Sequence, residues 1–247
     1  MEKINMIINH RNSSMDRQEN LMSVISYFKN ICEIIVVEQD DSSKISLSPD
    51  IKHIFVKNNG LFNRSWGFNI GVKYASFDKI CFNDNDIFMD IADFTRGIDG
   101  LNDCDTINPY SAVYDLDQGK SLDFKRYGTF PTMDGFGRGG TNYSGGMLFM
   151  NKNNFYKIGG WDEQMRGWGG EDDLMTHKIF NLLSSRTLEQ KAYHLYHSRG
   201  INDNHLHTHY HINLNRLGFI RSLTGSSLLN EVEKYQIGDE NKYIREN

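Results

Sequence analysis

Residues 143–173, YSGGMLFMNKNNFYKIGGWDEQMRGWGGEDD, constrain this chain more than any other stretch. The segment opens on the pair Gly145–Gly146, passes through an apolar run at 147–150, and closes on Trp168, Gly169, Gly170 and three consecutive acids, Glu171 to Asp173. Glycine pairs let a backbone approach a ligand closely or adopt positive φ. An indole beside them offers a flat face for a sugar ring. Three adjacent carboxylates repel one another, so a fold keeps them where a cation, a helix start or a substrate needs them. From the residues alone two readings stay open: a glycine turn leading into an acidic first helical turn, which the macrodipole favours, and a ligand site.

GWGGEDD, preceded by GGMLFMNKNNFYKIGGW, resembles the acceptor-side block of the β-1,4-galactosyltransferases and related GT-A glycosyltransferases. Polypeptide N-acetylgalactosaminyltransferases and bacterial chondroitin-type polymerases carry similar blocks. The resemblance implies an α/β, GT-A (Rossmann-like) fold with a central, mostly parallel sheet. It also directs attention to the rest of the chain for the matching donor half.

The pattern upstream fits such a sheet. Short apolar runs at 4–9, 33–38, 51–56 and 79–83 have the composition of buried strands, with helical patterns at 16–30 and 64–76 between them. Alternating strands and helices predict a parallel α/β sheet. Ligands of such sheets sit beyond the carboxyl ends of the strands. The polar clusters HRN, EQDD and DND follow the first, second and fourth runs at those ends.

DNDI at 84–87 supplies oxygen ligands suited to Mn²⁺ or Mg²⁺. Taken alone, DxD is a weak signal that an Asx-rich turn explains better. In context it matches the family's metal motif, which implies that Asp86 binds the metal and Asp84 supports the nucleotide sugar. FNRSWGFNIG at 62–71 repeats the family pattern FNRxxxxNxG without a gap, which puts Phe62 on the donor side and Arg64 against the nucleotide. HRNSSMDRQENL at 10–21 is similar to the family's block for uridine diphosphate, with His10 in place of an aromatic and three extra residues before Arg17. That leaves Arg11 in the better-matching place for a phosphate, with Arg17 a second ligand, since the guanidinium fork suits phosphate. Asp40, ending the second strand, is the candidate partner of the uracil ring.

HSR at 197–199 resembles the family's MxxHSR, whose His and Met complete the metal site. His197 keeps the ligand position and His194 stands where the Met would be. Imidazole in place of thioether favours borderline metals. HLHTHYH at 205–211 puts His205, His207, His209 and His211 on one face if extended, which would suit a second zinc site or a contact with the nucleotide. The resemblance implies that the glycine-rich run GFGRGGTNY at 135–143 is mobile and orders over the bound donor, and a plain linker is the other reading of these residues. From Asn213 the chain is helical to about Leu229, then charged and expected to fray.

A single domain is predicted: a nucleotide-sugar half at 1–103, an acceptor and catalytic half at 104–212, and a helical tail at 213–247. The net charge of −5 argues against a nucleic-acid partner. No run approaches the roughly 18–20 apolar residues that span a bilayer. An odd number of cysteines (three) and a first segment that reads as a strand rather than a leader predict reduced thiols and a cytoplasmic enzyme, soluble or peripherally attached to the membrane's inner face.

The resemblance implies a metal-dependent transfer of a hexose from a UDP-sugar to a glycan or glycolipid hydroxyl. Asp172 is the implied base, Glu171 and Asp173 orient the acceptor, and Trp168 with Gly169 and Gly170 forms its platform. Retaining relatives have Asn in place of Asp172, so inversion is expected. Tyr143, just before Gly145 and Gly146, aligns with a position that senses the sugar's C2 substituent, and a tyrosine there favours galactose. A UDP-HexNAc transferase and an inactive metal-dependent carbohydrate-binding protein are the alternatives.

Overall fold

The computed structural model describes residues 3–129, 137–138, 142–198 and 206–245. Its centre is a seven-stranded sheet in the order β3-β2-β1-β4-β8-β6-β9. The first four neighbours run parallel: β3 (Lys52–Lys57), β2 (Glu33–Asp40), β1 (Asn5–His10) and β4 (Lys79–Asn83). β8 (Met147–Asn151) is antiparallel to β4 and to β6 (Thr106–Asn108), while β9 (Ser185–Thr187) lies parallel to β6. The two halves expected from sequence therefore interleave, because β8 of the second lies directly against β4 of the first.

Strand β1 reads NMIINH and is buried along its whole length, as a central strand covered on both faces must be. On one face Met6 and Ile8 pack with α1 (Met15–Phe28) and α3 (Ile91–Gly100). On the other, Ile7 packs with α2 (Arg64–Lys73), α5 (Lys152–Lys157) and α6 (Glu171–Leu182). Helix α1 starts where Ser14 Oγ accepts from Arg17 N, and α2 where Asn63 Oδ1 accepts from Trp66 N at 2.9 Å. These side-chain acceptors satisfy donors that a helix start leaves orphaned. From β1 the chain crosses to β2 on one side, and β4 lies on the other. The crevice at their carboxyl ends is thus a topological switch point.

Residues 104–142 gave little signal in the sequence, yet they contain β6, β7 (Ala112–Asp115) and α4 (Gln118–Tyr127). β7 joins a second, three-stranded sheet in the order β5-β10-β7, with β5 (Ile87–Met89) and β10 (Lys191–His194). Beyond it, α7 (Thr208–Arg221) and α8 (Gly225–Val232) pack on α6 through Leu174, Leu217, Ile220 and Leu228. The predicted tail helix is thus two helices. The charged segment before residue 246 is tied down where fraying was expected: Tyr243 is buried and its hydroxyl accepts from Asn63 Nδ2 at 2.9 Å, and Trp66 Nε1 donates to the Asp239 carbonyl at 2.8 Å. The tail is held because it closes over the buried ring of Trp66 at the start of α2. Among the described residues no helix is long and apolar enough to cross a membrane. Cys32, Cys81 and Cys104 are all free thiols.

Candidate active site

The small sheet brings His194 to Asp86. In β10, His194 is in register with Ile87 of β5 on one side and Asp115 of β7 on the other. Leu195 N donates to the Asp86 carbonyl at 2.8 Å and locks the two segments together. As a result Asp86, His194 and His197 have ligand atoms within 4.8 Å of one another. His197 Nε2 lies 3.3 Å and His194 Nε2 3.7 Å from the Asp86 carboxylate. His194 Nδ1 is tied to Asp115 Oδ1 at 2.9 Å, so Nε2 is the nitrogen that faces Asp86. A carboxylate behind a metal-binding histidine fixes its ring and raises its basicity. One oxygen and two imidazole donors, one already oriented, fit a divalent ion of Mn²⁺ or similar type. Burial opposes charge at both ends of this cluster, yet the imidazoles and Arg17 hold Asp86 down at about 2, and Asp86 and Asp115 raise His194 to about 9. Metal entry would displace that proton.

Arg64 links this motif to the GGEDD block. Its Nε donates to Asp84 Oδ1 at 2.7 Å and its Nη1 to Asp172 Oδ1 at 2.6 Å. The guanidinium stands 4.7 Å from the Phe68 ring and 5.0 Å from Trp161, which excludes water from its faces. Despite burial, the two carboxylates hold Arg64 above its ordinary value. Burial drives Asp172 the other way, up to about 8, with Glu171 and Asp84 adding to the rise and Arg64 opposing it. The sequence placed Arg64 against the nucleotide; in the structure its Nε and Nη1 are engaged by these two acids.

Asp172 lies in the first turn of α6, as the sequence predicts, with Gly170 at φ 92° as N-cap. Gly169 is required for a separate reason. Its φ is 104°, and a Cβ there would stand 2.6 Å from the Tyr210 ring, so no other side chain fits. Trp168 is stacked on Tyr210 with centroids 5.5 Å apart at 18°, and remains 46% exposed, leaving surface for a ligand. Glu171 turns back, its Oε2 accepting from Gly169 N at 3.1 Å, and burial raises its carboxyl. Asp173 does not join the site. It points outward and pairs with Arg221 of α7 at 2.9 Å. A third acid on the same helical turn faces away from the second because successive helical residues are about 100° apart.

The donor side differs from expectation at several residues. Arg11 is engaged by the backbone: its three guanidinium nitrogens donate to the carbonyls of Gln39, Gly60 and Asn58 at 2.7–2.9 Å. Those carbonyls lie at the carboxyl ends of β2 and β3, and the Phe62 ring lies 5.8 Å from the guanidinium. Arg17, displaced by the insertion, is the arginine that reaches the metal cluster, 3.6 Å from Asp86. Asp40 Oδ1 accepts from Lys44 at 2.7 Å, while its Oδ2 is buried without a partner. Tyr143 is a core residue. Its hydroxyl bonds Thr106 Oγ1 at 2.9 Å and the Arg186 carbonyl at 3.3 Å, and its ring packs 5.1 Å from Phe180. The polar end that was to sense a sugar is spent on β6 and β9. Gly145 and Gly146 line the site: a Cβ on Gly145 would stand 3.3 Å from Asp172 Oδ2, and one on Gly146 would strike the Tyr110 hydroxyl.

The histidine run is not extended. His207 caps α7 by accepting from His209 N at 3.2 Å, and His209 and His211 lie within the helix, two residues apart and so on different faces. Among the described residues the one cluster able to hold a metal is Asp86, His194 and His197. His205, Arg199 and most of the 135–143 run lie outside the described residues. Asp115, Tyr110 and Tyr210 were missed from sequence, and no motif marks them.

A family model described as the N-terminal domain of galactosyltransferase matches residues 134–198. Chondroitin sulfate N-acetylgalactosaminyltransferase 1 of Homo sapiens is 25% identical over 158 residues, which is 59% of this chain and 29% of that protein. The chain thus spans less than a third of that relative's length. S. aureus TarS 1-349 superposes with a TM-score of 0.53 at 14% identity, covering 78% of this chain and 60% of that one. A Drosophila β1,4-galactosyltransferase 7 mutant in complex with manganese, UDP-Gal and xylobiose gives a TM-score of 0.45 at 18% identity, over 96% of this chain and 81% of that one. By fold and by its catalytic block the chain is similar to GT-A glycosyltransferases.

Proposed function

We propose that this protein is a metal-dependent, inverting glycosyltransferase that moves a hexose, preferably galactose, from a UDP-sugar to a hydroxyl of a glycan or glycolipid. One observation carries the reading: Arg64 joins Asp84 of the DND motif to Asp172 of the GGEDD block. Donor-side and acceptor-side carboxylates therefore stand one guanidinium apart. A donor held at the first would present its anomeric carbon to an acceptor held at the second.

Asp86, His194 and His197 would hold Mn²⁺ or Mg²⁺, with Asp115 fixing His194. The bound ion would supply positive charge for the departing diphosphate, so no proton donor is needed there. Arg17, beside Asp86, adds charge on the same side. Asp172 takes the proton from the acceptor hydroxyl as its oxygen bonds to the anomeric carbon and the bond to the diphosphate breaks. A carboxyl raised toward neutrality is better suited to that task than an ordinary one. The exposed face of Trp168, backed by Tyr210, takes an acceptor sugar by stacking. Residues 1–103 serve the nucleotide and 104–212 most of the acceptor chemistry.

A UDP-GalNAc transferase is the second reading. The curated relative is named as an N-acetylgalactosaminyltransferase, and with Tyr143 seated in the core no bulky side chain at that position stands guard over an N-acetyl group. Release of UDP from UDP-Gal and UDP-GalNAc, with a panel of glycan acceptors and with or without EDTA, separates these readings. Asp172→Asn should leave UDP binding near wild type and cut turnover by about 10²-fold or more. Full activity in EDTA, or near-normal turnover in that variant, would refute the mechanism.

A further inference from the structure

Helix α7 carries an asparagine where its packing calls for an apolar side chain. Its core-facing residues are Asn213, Leu217 and Ile220, spaced as one face of a helix, and Asn213 is 1% exposed. A buried amide is costly unless its hydrogen bonds are made, and asparagine is a poor helix former. Leucine at 213 would suit the helix better, so the reason for the amide lies outside α7.

That reason is the loop that carries Trp168. Asn213 Oδ1 accepts from Arg166 N at 3.3 Å, while its Nδ2 donates to the Arg166 carbonyl at 3.0 Å and to the Gly169 carbonyl at 2.9 Å. Both amide hydrogens and the oxygen are thereby spent on the two ends of 166–169, which fixes the orientation of the amide. Trp168 needs such an anchor. Gly167 and Gly169 on either side of it have φ of 69° and 104°, and glycine gives up more freedom than any other residue when it is held. Gly167 N donates to the Phe62 carbonyl at 2.8 Å, which secures the loop on the donor side. Asn213 secures it on the other. Tyr210 lies three residues before Asn213, hence on a neighbouring part of the same helix face, and its ring stacks on Trp168 with centroids 5.5 Å apart. One face of α7 therefore supplies both the ring behind the indole and the clasp around its backbone. Just past the clasp, Gly170 caps α6, whose first turn bears Asp172.

We infer that Asn213 is a positioning residue for the acceptor: by tying both ends of 166–169 to α7, it sets where the open face of Trp168 stands relative to Asp172. This rests on the glycosyltransferase reading and adds to it the residue that holds the acceptor platform in place against the base. A sugar stacked on a loop free to swing would bring its hydroxyl to Asp172 only part of the time, and a misplacement of about 1 Å is enough to slow a reaction severely. All three hydrogen bonds of Asn213 go to the loop, so the effect should fall on the acceptor and spare the nucleotide.

Fluorescence follows the loop directly. Of the three tryptophans, Trp66 and Trp161 are fully buried and Trp168 is 46% exposed, so acrylamide quenching reports on Trp168. The test compares wild type with Asn213→Leu, which keeps the bulk and loses all three bonds, and with Asn213→Ser, whose short hydroxyl cannot bridge both carbonyls. Thermal midpoints control for folding. Transfer from UDP-Gal and UDP-GalNAc with Mn²⁺ is measured with methyl β-xyloside, methyl β-N-acetylglucosaminide and methyl β-glucuronide as probe acceptors, and calorimetry measures UDP with Mn²⁺. In both variants quenching should rise and acceptor KM should increase about 10-fold, while UDP affinity stays at the wild-type value. Wild-type quenching and acceptor KM in either folded variant, or a loss shared equally by UDP affinity and acceptor KM, overturns the assignment. Wild type that binds no UDP with Mn²⁺ and releases none from either donor overturns the glycosyltransferase reading instead. The quenching comparison needs no substrate and then still decides whether Asn213 holds Trp168.

Discussion

Removing the cation between Asp84 and Asp172 should disable the enzyme in a way that alkali repairs. In Arg64→Met the apolar stem still packs on Phe68 and Trp161, but the charge 2.6 Å from Asp172 is gone. Two unit charges with centres about 4 Å apart interact by roughly 4 kcal/mol at an effective dielectric near 20, or about 3 pH units. Asp172 is 28% exposed at its side chain, so solvent screens part of this, and a rise of about 1–2 units is expected. The sign follows from the role. The base works only when deprotonated, so kcat/KM falls tenfold per unit below the governing pKa, which burial already sets at about 8 in wild type. At pH 7 the variant should therefore lose a further ~10–100-fold beyond any misplacement, and recover that factor as the pH is raised toward 10. The assay is the pH profile of kcat/KM from UDP release, with circular dichroism at each pH. Arg64→Lys keeps the charge and should shift the limb by less than half as much, although a lysine cannot bridge both acids. A limb that stays in place in Arg64→Met, or one that survives in Asp172→Asn, would show that Asp172 is not the titrating base.

Asp115→Asn removes the carboxylate behind His194 Nδ1 and should weaken Mn²⁺ binding by about 10–100-fold in a metal titration, with little change in kcat at saturating metal. Tyr143→Leu should leave the ratio of kcat/KM for UDP-Gal and UDP-GalNAc unmoved while lowering the thermal midpoint, because the ring and hydroxyl serve the core; a tenfold shift in that ratio would restore the donor-sensing role. Deleting residues 236–247 removes the contacts of Asp239 and Tyr243 with Trp66 and Asn63, and should destabilise the N-terminus of α2 by about 1–3 kcal/mol in urea unfolding, an unsatisfied buried donor being the main cost.

Much of the frame was legible because it is local. The apolar runs at 4–9, 33–38 and 79–83 fall in strands because a sheet covered on both faces needs continuous hydrophobic strands, while the run at 51–56 becomes the partly buried edge strand β3. Glu171, Asp172 and Asp173 fall in a helical first turn because the acids follow a glycine cap and suit the positive end of the helix. The DND motif follows β4 directly, so its place at the carboxyl edge needed only the strand assignment. The histidine run failed for a local reason as well: alternation was read as a strand, whereas His207 is a helix cap.

The sequence by itself determined which residue types were available to the site, the order of the strands and helices as far as β4, and the edge of the sheet where the polar clusters gather. Tertiary structure decided which of them meet. Arg11 and Arg17 are the same residue type six positions apart, and nothing in either says which one will find three backbone carbonyls and which will face Asp86. The same holds for Asp115, which reaches His194 only because β7 and β10 pair in register across 79 residues, and for Arg64, whose two acids lie 20 and 108 residues away. Propensity and periodicity act over a few residues, while a charge is claimed by whatever the packed chain brings within about 4 Å of it, and that is fixed only when the whole core closes.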